Sequence, residues 1–333
     1  MTELESKSSK NNKDNAIDIM DINAMPAKTW YWLGVNSAEL SWNKNGESLL
    51  GEKAFTLNAG RKYEDVIISY SDIKSEFNHD RIVINAAEGS EMTLITRLDM
   101  SYNMRLYFDI KIGKNAKLKL IELCKVGDNT IYSDIDTTCD EGGEFELIHM
   151  FTGMKRLKDD KKEGKIYSNV KVDLVGDKSD FRYDMGYLAQ GNDIFDYNII
   201  VNHIGKKTNC EITANGALRD SAHKIFRGTI DFKTGSSNST GVETETVLML
   251  GDDVVNKTVP VILCSEENVS GTHGASIGEL DEETLFYFES RGIDKAVAED
   301  IMARASIERL SGLIENEKVK EIIEDILKDV LGK

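Results

Sequence analysis

Proline is nearly missing from this chain of 333 residues, cysteine is sparse, and long apolar runs are absent. With no apolar stretch of about eighteen residues, the sequence offers neither a transmembrane helix nor a signal-peptide core. Four cysteines (Cys124, Cys139, Cys210 and Cys264) are scattered without CxxC spacing, so no zinc or disulfide framework is legible. Without an export signal the expected location is cytoplasmic, in a reducing compartment. Positive charge is short too, the net charge being −17. A surface this acidic repels nucleic-acid phosphate and anionic lipid, so neither nucleic acid nor membrane is an expected partner. The stretch from Lys155 to Lys165 mixes bases and acids and reads as a solvated loop. No GxxxxGK[ST] phosphate loop, helix-opening GxGxxG, HExxH or GxSxG occurs, so ATP hydrolysis and dinucleotide binding by a known loop are not expected.

What is present is glycine, 26 residues against 2 prolines, which suits hydrogen-bonded strands joined by tight turns. Residues 1–25 are polar and read as a disordered tail. Order is expected from the aromatic group Trp30, Tyr31 and Trp32, read as core. From about residue 65 short β-branched runs follow one another, such as Val66-Ile-Ile-Ser-Tyr and Arg81-Ile-Val-Ile-Asn. A glycine, a few polar residues and an alternating apolar strand recur from Gly89, Gly113, Gly142, Gly176 and Gly205, at steps of 24, 29, 34 and 29 residues. One copy has an apolar face it cannot bury alone; stacked copies bury a continuous column. The fold class is therefore mainly β, a parallel β-helix (solenoid) over a core domain of residues 26–278. A β-sandwich is the runner-up, since strands at such spacing also suit it.

After Asp281 the period changes. Asp281 and Asp294 are placed as helix N-caps, and Gly292 follows the end of the first helix. Val297, Ile301, Ala305 and Leu310, flanked by Ala298 and Ile307, recur at helical spacing, as do Val319, Ile322, Ile323, Ile326, Leu327 and Val330. Residues 279–333 thus form a C-terminal helical domain, with 15 acidic against 8 basic residues. It is expected to cap the open solenoid end, to dock a partner, or both.

The five histidines are isolated in sequence, and a lone histidine is usually structural. His273 has the richest surroundings. Cys264, two glutamates and the imidazole lie within ten residues, and imidazole and thiolate both suit iron or zinc. One loop supplies too few aligned ligands to define a metal site by spacing.

The same segment carries a resemblance. Gly271-Thr-His-Gly-Ala-Ser-Ile-Gly, followed by Leu280-Asp-Glu-Glu-Thr-Leu-Phe-Tyr-Phe-Glu-Ser-Arg-Gly-Ile, resembles the C-terminal signature of the SufB/SufD family. Ala222-His-Lys-Ile-Phe-Arg-Gly-Thr-Ile is similar to the family's Phe-x-Gly-x-Ile strand, and Pro260 to Cys264 to its segment before the histidine loop. The resemblance covers roughly residues 80–333 and indicates a compact SufD-like or SufBD-type member. It implies a right-handed parallel β-helix flanked by helices. It also implies a non-catalytic scaffold for iron–sulfur cluster assembly, with a cluster or iron held transiently. The implied partners are a SufC-like ABC-type ATPase, which carries the phosphate loop missing here, and a second copy or a SufB/SufD paralogue in a homodimer or heterodimer.

Residue by residue, His273 matches the histidine that the family places at the cluster-forming interface. Gly274 follows it, as in SufD-type members, where SufB-type members have glutamate. Glu245 falls where SufB-type members carry a reactive cysteine. Cys264 is then the nearby thiol, either a substitute ligand or a buried structural residue after Val261, Ile262 and Leu263. The candidate metal-facing residues are His273, Cys264 and Glu245. The candidate partner contacts are Phe286, Tyr287 and Arg291 on the first C-terminal helix. Two other readings are a solenoid enzyme acting on carbohydrate, which needs paired carboxylates on an exposed face, and a structural partner subunit with no ligand of its own.

Overall fold

A computed structural model of the chain describes residues 17–29, 31–43, 45–70, 75–155 and 161–332. The expected tail over residues 1–16 and part of the basic stretch after Lys155 lie outside the described residues. Residues 17–25 correct the tail reading. Strand β1 (Ile17–Ile22) pairs antiparallel with β2 (Ala38–Asn43), so order begins earlier than composition alone indicated. The cause is packing: Ile22, Leu40 and Trp42 are buried against Tyr132 and Tyr167 of the main body.

Sixteen further strands follow in chain order. The first eight are β3 (Glu47–Leu57), β4 (Val66–Tyr70), β5 (Phe77–Ala86), β6 (Glu91–Met100), β7 (Asn103–Ile112), β8 (Lys117–Val126), β9 (Thr130–Cys139) and β10 (Glu144–Gly153). The rest are β11 (Lys165–Leu174), β12 (Asp180–Ala189), β13 (Ile194–His203), β14 (Asn209–Arg219), β15 (His223–Phe232), β16 (Thr240–Leu250), β17 (Val255–Cys264) and β18 (Ser270–Gly278). Odd-numbered strands from β3 form one eight-stranded sheet and even-numbered strands from β4 the other. Every pairing within these two sheets is parallel, which excludes the sandwich. Each coil is one strand from each sheet, and the solenoid starts at Glu47 rather than near residue 65.

Alternate side chains of every strand point into the coil and stack on their neighbours. One such column runs Leu147, Tyr183, Ile212, Glu243, His273 along the even sheet. Phe145 stacks on Phe181 with ring centroids 5.4 Å apart. The interior also holds polar groups, several of them bonded to one another. His149 lies 2.7 Å from the Glu122 carboxylate and 2.8 Å from the Tyr183 hydroxyl.

The turns show why glycine recurs. In each turn that leads from the odd to the even sheet, from Gly60 to Asn238, a residue with positive φ donates its N–H to the next coil. The repeated glycines do two jobs. Gly142 (φ 62°) is itself the left-handed residue. Gly176 lies two residues before left-handed Lys178, and a Cβ on it would sit 1.9 Å from the Glu141 nitrogen, so the coils could not close up.

Of the aromatic group expected in the core, Trp30 lies outside the described residues and the other two are corrected: Tyr31 and Trp32 are 91% and 76% exposed in a 3-10 turn, while Met25 and Val35 are buried instead. The segment holding them straps the outer face of the odd sheet. There the buried Arg227 guanidinium bonds the Val35 carbonyl and pairs with Asp196, its Nη2 donating over 3.0 Å.

Three helices close the chain: α1 (Glu282–Ser290), α2 (Lys295–Glu308) and α3 (Glu317–Leu331). Asp281 and Asp294 cap α1 and α2 as their spacing predicts, accepting from the Thr284 and Val297 amides. The helices do not cap the solenoid end. Ala303, Ile307, Leu310, Ile323, Ile326 and Leu327 pack on Ile121, Leu123, Ile148, Met150, Leu188 and Ala217, the outer face of the even sheet. That face is apolar where a solvated face would be polar, which explains the choice. The stripe Val297, Ile301 and Ala305 is the exposed side of α2, while Ala298, Ala303 and Ile307 are buried.

Candidate functional site

Because the helices lie along the side, one end of the solenoid is bare. Strands β17 and β18 each have a neighbour on one side only. All of β18 is exposed, and Ile277, which continues the inward column of Tyr187, Gly216 and Val247, is uncovered. Pro260, unable to donate to a ladder, sits in β17, where an edge tolerates it.

His273 stands on this edge. It is the ladder partner of Glu243 and therefore points toward the interior column, with its open side to solvent. It makes no hydrogen bond among the described residues. Cys264 ends β17 at the same bare end. It is exposed, not buried, and its thiol donates to the Glu266 carbonyl at 3.0 Å. The other three cysteines are interior, and burial pushes their thiols up.

Glu245 is elsewhere engaged. Its carboxylate is buried and ion-paired with the Lys224 ammonium, and accepts from Thr258 Oγ1 at 2.6 Å and Tyr187 at 3.4 Å. Lys224 crosses from the opposite sheet, lying 5.6 Å from the Tyr187 ring centroid, and its burial lowers its pKa. Glu245 is thus held inside, while His273 and Cys264 are at the surface. Among the described residues no group of three or more His, Cys, Asp or Glu side chains is placed to hold a metal ion.

One residue escaped the sequence reading. Glu243 faces inward between Ile212 and His273 and is 3% exposed. Burial first, then the Glu245 charge, pushes its pKa up to about 8, with Lys224 opposing. Its carboxylate lies over Gly228 of the opposite sheet, where a Cβ would approach to 2.0 Å. The available signal was Glu243-Thr-Glu245: two acids on the inward side of an otherwise apolar alternation.

At the other candidate surface, α1 buries none of its residues. Phe286 and Tyr287 are 71% and 55% exposed, and the Arg291 guanidinium lies 5.0 Å from the Tyr287 ring centroid. A core role for these two aromatics is excluded.

Fold and site together define a parallel β-solenoid with side-packed helices and an inward-facing imidazole on an unpaired last coil. The family described as SUF system FeS cluster assembly, SufBD core domain, matches residues 68–306, well over half the chain, and the chain belongs to it. It is 26% identical over 247 residues to the iron-sulfur cluster assembly protein SufD of Bacillus subtilis (strain 168), covering 71% of this chain and 53% of that protein. To SufD of Escherichia coli (strain K12) it is 22% identical over 250 residues, covering 73% and 56%. To Protein ABCI7, chloroplastic, of Arabidopsis thaliana it is 22% identical over 280 residues, covering 79% and 57%. The chain spans about half the length of these curated relatives. No described helix is long and apolar enough to cross a membrane.

Proposed function

We propose that the chain is a cytoplasmic scaffold subunit for iron–sulfur cluster assembly, acting with a SufC-like ABC-type ATPase. The observation that carries this reading is the placement of His273, an inward-facing imidazole on the unpaired end of a SufBD-core solenoid. Unpaired edge amides and an uncovered Ile277 are surfaces a protein completes by adding strands. A second copy of the chain, or a SufB/SufD paralogue, would continue both sheets there and enclose the imidazole in a shared seam. Iron or a nascent cluster is the cargo, held transiently by ligands from both subunits. The solenoid contributes rigidity, since packed columns deform little. The ATPase would bind the exposed faces of α1 and α2, and no catalysis is assigned to the chain itself.

The test is anaerobic purification with co-expressed SUF components, with iron and acid-labile sulfide measured per chain. Wild type carries both; His273→Ala carries at least fivefold less, at an unchanged melting temperature, because His273 is exposed and unbonded. Equal loading of the two proteins would remove His273 from the proposal. A wild type with neither iron nor sulfide would favour a structural subunit without a ligand.

A further inference from the structure

We propose that Glu243 and His273 form a two-residue half-site for a divalent first-row transition ion, with ferrous iron as the physiological occupant. This rests on reading His273 as the cargo-facing residue and adds a ligand to it. The two residues are direct ladder partners on the inward face of adjacent strands, β16 and β18. Adjacent rungs lie about 4.8 Å apart, a separation from which a carboxylate and an imidazole can both reach one ion at about 2.1 Å.

The state of Glu243 points to a ligand. Its side chain is 3% exposed, yet its carboxylate makes no hydrogen bond among the described residues. A buried carboxylate ordinarily has a donor or a countercharge. The one ammonium nearby, Lys224, is ion-paired with Glu245. Two carboxyl groups therefore share one ammonium, and a metal ion bound between Glu243 and its ladder partner His273 would supply a second cation. One carboxylate and one imidazole, with no thiolate, match Fe²⁺, Co²⁺ or Zn²⁺ as a simple ion better than a preformed cluster. The remaining coordination positions stay open for water or for ligands from a subunit across the seam, so the half-site alone binds weakly.

Cobalt(II) is the probe, titrated anaerobically into the chelator-treated full chain and followed by its visible d–d absorbance. Glu243→Gln and His273→Ala each weaken Co²⁺ binding at least tenfold. Glu267→Gln, an exposed acid on the neighbouring turn, binds as wild type. Glu243→Gln is isosteric and breaks no hydrogen bond among the described residues, so its melting temperature does not fall. If His273→Ala loses binding and Glu243→Gln does not, the half-site is overturned while the reading of His273 stands. If neither variant differs from wild type, the ion binds elsewhere and the half-site is overturned, while His273 is judged by the iron and sulfide measurement. Absence of Co²⁺ absorbance in wild type up to millimolar metal also overturns the half-site and leaves the iron and sulfide measurement to judge His273.

Discussion

Burial sets part of the acid limb of stability through a single side chain, His203. Its ring stacks on Phe232 at 4.6 Å and bonds Thr208 Oγ1 at 2.7 Å inside the coil. Burial lowers its pKa from 6.5 to about 4. Between these values the unfolded chain binds a proton there and the native chain does not, so stability falls as pH drops from 6.5 to 4. That shift corresponds to roughly 3 kcal/mol. His203→Phe keeps the stacking and removes the titration, and Ser239 remains within 2.8 Å of Thr208 Oγ1. Urea unfolding at pH 7 and 4.5 is expected to show the loss shrinking by about that amount in the variant. An identical loss in variant and wild type would contradict the assignment. At this scale sequence is a poor guide. A lone histidine carries no local mark of whether it faces the coil, as His149 and His203 do, or solvent, as His79 and His223 do.

At the scale of elements the helices are informative. Deleting residues 279–333 would uncover Ile121, Ile148, Met150 and Leu188 on the even sheet, so loss of a partner after deletion could reflect loss of folding. Point changes on the bare side of α1 avoid this. Phe286→Ala with Tyr287→Ala should reduce co-purification of a SufC-like ATPase at least tenfold and leave the melting temperature within a degree or two, since neither side chain is buried. Full retention of the ATPase would remove α1 from the docking surface. The N-caps Asp281 and Asp294 and the helical period were legible because both are local. The buried side of α2 was not. Val297 and Ile301 are more apolar than Ala298 and Ala303, yet the small residues are the ones that let the helix lie close on the sheet. The strap around Val35 was equally hidden, because its anchor, Arg227, is distant in sequence.

For the whole molecule, repetition made the solenoid readable. Each coil repeats the same turn and inward alternation, so errors at single strands do not alter the architecture. The bare end was less readable, since an edge strand has the same alternation as an interior one; Pro260 was its one mark. Candidate residues divided along this line. His273 and Cys264 lie on the last coil, but the pairing of Glu245 with Lys224 depends on two sheets meeting across the interior. The central claim is that the last coil is a seam closed by another subunit. Amide hydrogen exchange across residues 255–278 in the assembled complex tests it most directly. The account predicts β17 and β18 amides exchanging as slowly as those of β10 to β13 in mid-solenoid. Exchange within seconds along both strands, as for an edge left open to water, would contradict it.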